Sequence, residues 1–506
     1  MLEPDRCYRA LKSRDARFDG HFFFGVQTTG IYCRPVCPAR TPKRVNVRFY
    51  ACAAAAEQAG FRPCRRCRPE TAPGTPAWQG TSATVARALR LIDAGALDRA
   101  SVGDLAARVG LGERQLRRLF VEHLGAGPKA VAATRRSHFA RRLLDQTPLR
   151  MSEVAMAAGF ASVRRFNAAM RDAFGCTPTE LRRASRPKTP RRSGPGPSPS
   201  RNSEGEGRAR ARCELRLPFR PPYDWRLWTR FMAPRALDPV ESVRDVRYRR
   251  AFRLGAASGA VEVVCQPEEG VFRARVYTDD PGVLSPLAAR LRRVLDLEAE
   301  PDVIASHLGS DRRLAKIVRA HPGLRLATAF DPFEAAVRAI LGQQISVTGA
   351  RTLALRLVER HGELAGVEAA ELGLSHLFPT PEAVAAADLE ALGVTRARAR
   401  ALRGLAEAVS AGEVVLDGSR APEEVMEGLL ALHGIGPWTA QVVAMRALGE
   451  PDAFPAGDLG LAKALARGDR TPSQRETLEI AERWRPWRAY ATLYLWLSQS
   501  EGKEAG

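Results

Sequence analysis

The chain has 506 residues, 45% of them hydrophobic, and a net charge of +22 at pH 7. This length predicts three or four domains with their own cores, and the absence of any apolar run of about 18 residues argues against a membrane span. Residues 1–210 hold 39 Lys+Arg against 17 Asp+Glu, whereas residues 211–506 hold 39 of each. The excess positive charge therefore lies in the first half, which predicts binding to a polyanion such as a nucleic acid.

The N-terminal sequence MLEPDRCYRALKSRD lacks an apolar segment for export, so we expect a cytoplasmic, nucleoid-associated protein. The chain has nine cysteines. In a cytoplasmic protein this number favours metal binding or reactive thiols over disulfides.

Four of these cysteines form two close pairs. Cys33 and Cys37 are separated by three residues, Cys64 and Cys67 by two, and 26 residues lie between the pairs. This spacing predicts a tetrahedral Zn²⁺ site built from four thiolates. The spacing leaves open whether the site only stabilises a fold or whether one of its cysteines reacts.

The segments TTGIYCRP, NVRFY and AGFRPCRRC resemble the amino-terminal domain of the Ada-type adaptive-response proteins over about residues 5–70. The resemblance implies a small zinc-bound α+β domain, for which we predict the bounds 1–75. It also implies that Cys33 removes a methyl group from a methylated DNA phosphate and keeps it, with zinc holding the sulfur as the nucleophilic thiolate. Methylation would remove one negative charge beside Arg34 and Arg44 and so strengthen DNA binding.

Residues 82–184 contain an internal repeat. DLAARVGL at Asp104–Leu111 recurs as EVAMAAGF at Glu153–Phe160, an offset of 49 residues. Each copy predicts a short amphipathic helix that ends at a glycine and is followed by a second helix, as in a helix-turn-helix unit. The second helices present arginines expected to face DNA: Arg114, Arg117, Arg118, Arg164 and Arg165.

Two such units at fixed spacing resemble the AraC-type DNA-binding domain. The resemblance implies an all-α domain that reads promoter DNA and activates transcription, with RNA polymerase as a further partner. Because two units already supply a bipartite reader, we expect a monomer.

Residues 185–210 are rich in Pro, Gly, Ser and charge and predict a flexible linker. Residues 211–295 combine aromatic residues with alternating β-rich stretches, which predicts a small α+β domain. Helical periodicity continues through 296–500 and predicts an all-α domain. The expected fold class is therefore multidomain and mainly α.

The sequence LHGIGPWTAQVVAMRALG lies at Leu432–Gly449. Gly434 and Gly436 allow a tight hairpin between two helices, and Pro437 suits the first turn of the second helix. Backbone N–H groups at such a hairpin can bind a DNA phosphate. An ordinary connection between helices has the same pattern, so this motif alone does not decide.

Together with PPYDW, AILGQ and ERWRPWRAYATLYLW, this motif gives residues 211–498 a close resemblance to the AlkA-type 3-methyladenine DNA glycosylases of the helix-hairpin-helix superfamily. The resemblance implies that Asp458 is the catalytic carboxylate, which stabilises oxocarbenium character on the sugar. It also implies that Trp438, Trp496 and Phe231 line the pocket for a flipped alkylated base.

Two single positions and one short segment define how this chain compares with the AlkA pattern. Gln344 stands where a leucine wedge into the DNA stack is expected, and Val442 stands where the pattern has a tyrosine. Residues 437–439 read Pro-Trp-Thr, without the lysine that bifunctional relatives use to form a Schiff base. The chain is therefore predicted to be a monofunctional glycosylase with a pocket that is roomier than usual.

These features predict a DNA alkylation-response protein with two activities. The first half would be a stoichiometric DNA-methylphosphotriester:cysteine methyltransferase that switches on transcription, and the second a 3-methyladenine-type DNA glycosylase acting in base excision repair. Double-stranded DNA, damaged and promoter, would be its partner, with Zn²⁺ as the cofactor. The alternative is a transcription regulator with an inactive glycosylase domain, and Gln344 and Val442 are its support. A zinc site without reactivity is a third possibility.

Overall fold

The computed structural model describes residues 3–72, 83–185, 213–466, 468 and 470–504. The predicted linker, residues 185–210, lies outside this description except for its first residue. Among the described residues, no helix combines the length and apolarity needed to span a membrane.

The first module, residues 3–72, is a small α+β unit. A four-stranded sheet has the order β3-β1-β2-β4, in which β1 is antiparallel to β2 and β3 while β2 runs parallel to β4. Phe22, Phe24 and Tyr32 are fully buried around it. Its elements are α1 (Pro4–Ser13), β1 (Phe23–Val26), β2 (Ile31–Cys33), β3 (Val47–Tyr50), α2 (Ala53–Gln58) and β4 (Arg62–Pro63).

Residues 83–185 form helices joined by short turns, with no strand. The repeat found in the sequence forms two helix-turn-helix units, one from α5 (Val102–Arg108) and α6 (Glu113–Leu124), the other from α8 (Met151–Ala157) and α9 (Val163–Phe174). The turns contain Gly110 and Gly159 at φ of +76° and +81°. A Cβ atom at Gly159 would also clash with the Asp98 carboxylate, so this turn requires glycine. The helices are α3 (Ala83–Asp93), α4 (Ala96–Arg99), α5 (Val102–Arg108), α6 (Glu113–Leu124), α7 (Pro128–Gln146), α8 (Met151–Ala157), α9 (Val163–Phe174) and α10 (Pro178–Ser185).

The third module is built on an antiparallel sheet with the order β5-β9-β8-β7-β6. Burial alternates along β5 and β9, and their apolar face packs with α12. The elements are β5 (Cys213–Pro218), α11 (Trp225–Met232), β6 (Glu241–Arg244), β7 (Arg247–Leu254), β8 (Ala257–Gln266), β9 (Val271–Tyr277) and α12 (Leu284–Val294).

The remainder is helical, as expected from its periodicity, and surrounds two apolar cores. Its helices are α13 (Pro301–Leu308), α14 (Ala315–Ala320), α15 (Pro332–Leu341), α16 (Val347–His361), α17 (Val367–Ala370), α18 (Pro381–Ala386), α19 (Arg396–Ser410), α20 (Pro422–Leu430), α21 (Pro437–Val443), α22 (Leu459–Ala464), α23 (Gln474–Ala481) and α24 (Arg488–Glu504). Helix α21 continues as a π-helical turn over Ala444–Leu448.

The basic half packs against the neutral half. Helix α7 contacts β5, and α3 contacts α12. Arg108 donates to Asp417 at 2.8 Å, and the buried Arg87 donates to the carbonyl of Ser419 at 3.2 Å. The folds match the predicted order of modules, while the exact domain boundaries stay a prediction.

Candidate functional sites

The four predicted metal ligands lie together in the first module. One ligand atom from each of Cys33, Cys37, Cys64 and Cys67 falls within 4.8 Å of every other. Sulfurs around a tetrahedral ion with Zn–S bonds of about 2.3 Å lie ~3.8 Å apart, so this donor set fits zinc. The described residues bring together no other group of three or more such ligands.

The sheet explains how distant cysteines meet. Cys33 ends β2, and Cys64 directly follows β4, which is the parallel neighbour of β2. Because the carboxyl ends of parallel strands lie at the same edge, both sulfurs reach one point. The second cysteine of each pair lies in a short turn. The turn of the first pair is closed by the N–H of Cys37, which donates to the carbonyl of Arg34 at 3.0 Å.

The two arginines predicted to contact DNA near this cluster differ in their surroundings. Arg44 is exposed, with its guanidinium over the rings of Tyr8 and Phe49. The Arg34 side chain is only 15% exposed, because it pairs with Asp19 and donates to Thr71 at 2.7 Å. Arg34 therefore connects the loop between Cys33 and Cys37 to Asp19 and Thr71. Its contact with DNA stays a prediction.

A buried polar cluster joins the first module to α7. The Glu57 carboxylate accepts hydrogen bonds from Tyr32 at 2.8 Å and from Thr134, and His138 Nε2 lies 3.1 Å away. Burial raises the pKa of Glu57, but these hydrogen bonds and the charge of His138 outweigh it and hold the pKa below its usual value. Tyr32 immediately precedes Cys33, so the cluster ties the cysteine site to the helix that connects the two helix-turn-helix units.

The second helix of each helix-turn-helix unit has the predicted two faces. Leu116, Phe120, Phe166 and Met170 are fully buried, while Leu119 is half-buried. The opposite face carries the exposed arginines Arg114, Arg117, Arg118, Arg164 and Arg165. Both helices thus present a basic face to solvent, as a DNA reader requires.

The predicted helical hairpin is present between α20 and α21. Gly434 has a φ of +80°, and a Cβ atom there would lie 3.0 Å from the Ala401 Cβ on α19. Gly436 caps the next helix with extended backbone, and Pro437 occupies its first position. Close packing on α19 and the left-handed turn therefore both require glycine at residue 434.

Asp458 lies at the start of α22, where two tryptophans hold its carboxylate. Oδ1 accepts from Trp496 Nε1 at 2.9 Å and from the N–H of Leu461 at 2.9 Å, and Oδ2 accepts from Trp438 Nε1 at 3.2 Å. The structure thus brings together three residues of the predicted glycosylase site. The sequence suggested base stacking for the tryptophans and did not suggest that their indole N–H groups orient the carboxylate.

Aromatic rings extend the site away from the carboxylate. The Phe231 ring lies parallel to that of Trp496, with an interplanar angle of 8° and centroids 6.3 Å apart. The guanidinium of Arg235 stacks on Phe231 at 3.9 Å. Val442, on α21, is half-buried against the neighbouring helical core.

The loop between α15 and α16 carries Gln344 beside the hairpin. Gln344 is exposed and has a φ of +55°, a left-handed conformation that is uncommon for a residue other than glycine. The preceding Gln343 anchors the loop by donating to the carbonyl of Gly434 at 2.9 Å and to Thr439 Oγ1 at 3.0 Å. Gln343 was not among the residues predicted from the sequence, although it directly precedes Gln344 in GQQIS.

Four family models match the chain in the order of its modules. They are the metal binding domain of Ada (residues 6–70), a helix-turn-helix domain (105–184), the AlkA N-terminal domain (214–331) and the HhH-GPD superfamily base excision DNA repair protein (337–488).

Individual proteins agree with this order. A protein of Mycobacterium tuberculosis named probable bifunctional transcriptional activator/DNA repair enzyme AlkA is 44% identical over 97% of this chain and 96% of its own length. DNA-3-methyladenine glycosylase 2 of Escherichia coli is 36% identical over 56% of this chain and 96% of its own. The solved 3-methyladenine DNA-glycosylase of Archaeoglobus fulgidus covers 56% of this chain and 97% of its own, with a TM-score of 0.50 and 27% identity.

The four-cysteine zinc module, the double helix-turn-helix domain and the helix-hairpin-helix fold define a class of proteins that join Ada-type and AlkA-type domains. The chain belongs to the family of bifunctional transcriptional activator/DNA repair enzymes of this type. The Ada-type domain together with the cysteine cluster indicates a zinc site.

Proposed function

We propose that the protein has two activities in the response to DNA alkylation. Its basic half takes methyl groups from DNA methylphosphotriesters and activates transcription, and its neutral half excises alkylated bases of the 3-methyladenine type. The proposal is carried by one observation: a single chain holds both a four-sulfur cluster and a carboxylate oriented by two indole N–H groups beside parallel aromatic rings.

In the methyl transfer, Cys33 Sγ attacks the methyl carbon of the phosphotriester. The S–CH₃ bond forms as the O–CH₃ bond breaks, the electron pair stays on the phosphate oxygen, and a normal phosphodiester remains. Bound zinc would supply thiolate character to the four sulfurs at neutral pH. Cys33 becomes a neutral thioether, so the reaction happens once per protein molecule.

Methylation of Cys33 would be the signal that starts transcription. One negative charge is lost at a site flanked by Arg44 and braced by Arg34, so repulsion between the site and DNA phosphates falls. The exposed arginines of the two second helices would then bind promoter DNA more tightly, with RNA polymerase as the downstream partner. We further propose that the protein acts as a monomer in the cytoplasm, associated with the nucleoid.

In the glycosylase reaction, Asp458 faces the sugar of a flipped nucleotide. Loss of the base builds positive charge on the sugar, which the carboxylate stabilises, and the carboxylate can then accept a proton from the attacking water. Trp438 and Trp496 orient the carboxylate, while Phe231 and Trp496 offer stacking faces to the base. A cationic alkylated base leaves as a neutral molecule and needs no proton from the protein.

DNA would be held next to this pocket by the hairpin and by the loop beside it. Backbone groups at Gly434 and Gly436 would contact a phosphate, and Gln344 would fill the gap left by the flipped nucleotide. Since the hairpin helix lacks a lysine, the enzyme would hydrolyse the N-glycosidic bond without cutting the strand.

Gly460 offers a test of how closely the carboxylate must be positioned. A Cβ atom there would lie 2.9 Å from Asp458 Oδ1 and 3.2 Å from Trp496 Cδ1, so Gly460→Ala should displace one of them. We expect base release to fall about tenfold or more, because small misplacements of a catalytic group are costly. In the control Gly457→Ala, the added methyl group meets Gln474 only at 4.0 Å. Equal single-turnover rates for the two variants would contradict this geometry.

One preparation can test both activities. Zinc-loaded protein is incubated with methylated double-stranded DNA, its intact mass and peptide map are recorded, and free methylated bases are measured by chromatography. We expect one added methyl group, on Cys33, together with catalytic release of free base. A methylated protein that releases no base would be a regulator with an inactive glycosylase domain. Release of base without methylation of the protein would show that the cysteine cluster has only a structural role.

A further inference from the structure

A cavity of about 810 Å³ lies where three modules meet. Its walls come from the zinc module, from the C-terminal end of α7, and from β5, β9 and the residues next to these strands. Its volume is in the range of small-molecule sites, roughly 300–1,000 Å³. The cavity is separate from the pocket at Asp458, and Cys67 forms part of its wall.

The lining of this cavity is strongly basic, with seven arginines and four carboxylates. Several of the arginines are paired: Arg34 with Asp19, and both Arg216 and Arg273 with Glu269. Arg68 also pairs with Asp145, and Arg273 with Glu214. All four wall carboxylates are thus used, and the seven arginines still leave the lining with an excess of three positive charges.

Arg142, on α7, is the most informative of these residues. Its Nε atom is buried without a hydrogen-bond partner, and among the described residues its guanidinium has no ion pair; its contact is with the ring of Phe139 at 5.2 Å. Burial, with repulsion from Arg292 and Arg135, lowers the pKa of Arg142 to about 10, so the group remains charged at neutral pH. Glu70 and Asp93 attract this cation, but neither forms a direct ion pair with it. A buried cation without such a pair is costly, and an anionic ligand would reduce that cost.

We propose that this cavity binds a small ligand with a terminal phosphate, of the nucleotide class. Guanidinium groups bind phosphate through paired hydrogen bonds, and Arg142 and Arg216 supply such groups from two different modules. Glu214 and Glu269, also in the wall, offer acceptors to sugar hydroxyl groups. The cavity is too small for a DNA duplex, but a nucleotide or the phosphorylated end of a single strand fits its volume.

Such a ligand would also hold the two halves of the protein together. The walls belong to both halves, so a molecule that bridges them stabilises the packed arrangement relative to the separated one. Since Cys67 belongs to the zinc site and lines the same cavity, occupancy would link the zinc module to the glycosylase half.

The test is calorimetric titration of the zinc-loaded full chain with ADP, without Mg²⁺ and at fixed ionic strength, with zinc content measured before and after. We expect one saturable site in the wild type and at least tenfold weaker binding in Arg142→Met and Arg216→Ala. Arg216 is 43% exposed, so its variant keeps the test valid if Arg142→Met fails to fold. The matched control is Arg475→Ala, an exposed arginine on α23.

Absence of binding to the wild type would overturn the proposal. Equal affinity in all four proteins would also overturn it, because binding would then reflect general charge attraction and not Arg142 and Arg216. Competition experiments then separate the two sources of the phosphate. Displacement of ADP by AMP and GDP but not by a 5′-phosphorylated oligonucleotide would assign the site to free nucleotides. Displacement by that oligonucleotide, but not by its unphosphorylated form, would assign it to a strand end.

Discussion

Asp458→Asn should reduce the release of 3-methyladenine from DNA by roughly 100- to 1,000-fold, as removal of one group that stabilises developing charge does in other enzymes. The amide has nearly the same shape and can still accept hydrogen bonds from Leu461 N–H and Trp496 Nε1. It cannot carry the negative charge that stabilises the sugar cation. DNA affinity should therefore change little while the chemical step slows.

Single-turnover release of base at saturating enzyme measures that step directly. The control is Asp388→Asn, an exposed carboxylate in the same helical region that caps a turn at Ala391. Wild-type rates in Asp458→Asn would remove Asp458 from the mechanism. Rates equally low in both variants would point to general damage to the fold.

Cys33→Ser should abolish methyl transfer to the protein, because a serine hydroxyl stays protonated at neutral pH and is a poor nucleophile. Three sulfur ligands would remain, so zinc affinity should fall without complete loss of the site. Base release should be unaffected, since Asp458 and its two tryptophans lie in another module.

Intact mass and zinc content after incubation with methylated DNA are the measurements. Cys52→Ser is the matched control, because Cys52 lies in the same module outside the cluster and donates to the carbonyl of Leu124 at 3.3 Å, a bond that serine can keep. Peptide mapping identifies the acceptor. A methyl group found on Cys37, Cys64 or Cys67 instead would reassign the reactive ligand.

Much of the architecture could be predicted because it follows from patterns among residues that are close in the sequence. Spacing identified the four cysteines as one site, and a repeat with glycine at fixed positions identified the two helix-turn-helix units. Gly434 and Gly436 indicated the hairpin only together with the wider resemblance. The structure adds the reason for glycine at residue 434, which is a left-handed turn packed against α19.

The rest depended on distances between elements that are far apart in the sequence. Trp438 and Trp496 lie on α21 and α24, and only the packing of these helices against α22 turns their N–H groups toward Asp458. The position of Arg34 beside the cysteines was visible in the sequence, but its ion pair with Asp19, fifteen residues earlier, was not. Ion pairs and orienting hydrogen bonds of this kind leave no periodic signal in a sequence.

The shared carboxylate of Glu57 should make the zinc module and the DNA-reading helices unfold cooperatively. It is shared by Tyr32 from one module and by Thr134 and His138 from the other, so separating them leaves buried polar groups without partners. Amide hydrogens of α2 and α7 should therefore exchange with solvent through one common opening event. A fragment that ends between residues 72 and 83 would expose this cluster, and neither piece would keep the stability that it has in the whole chain.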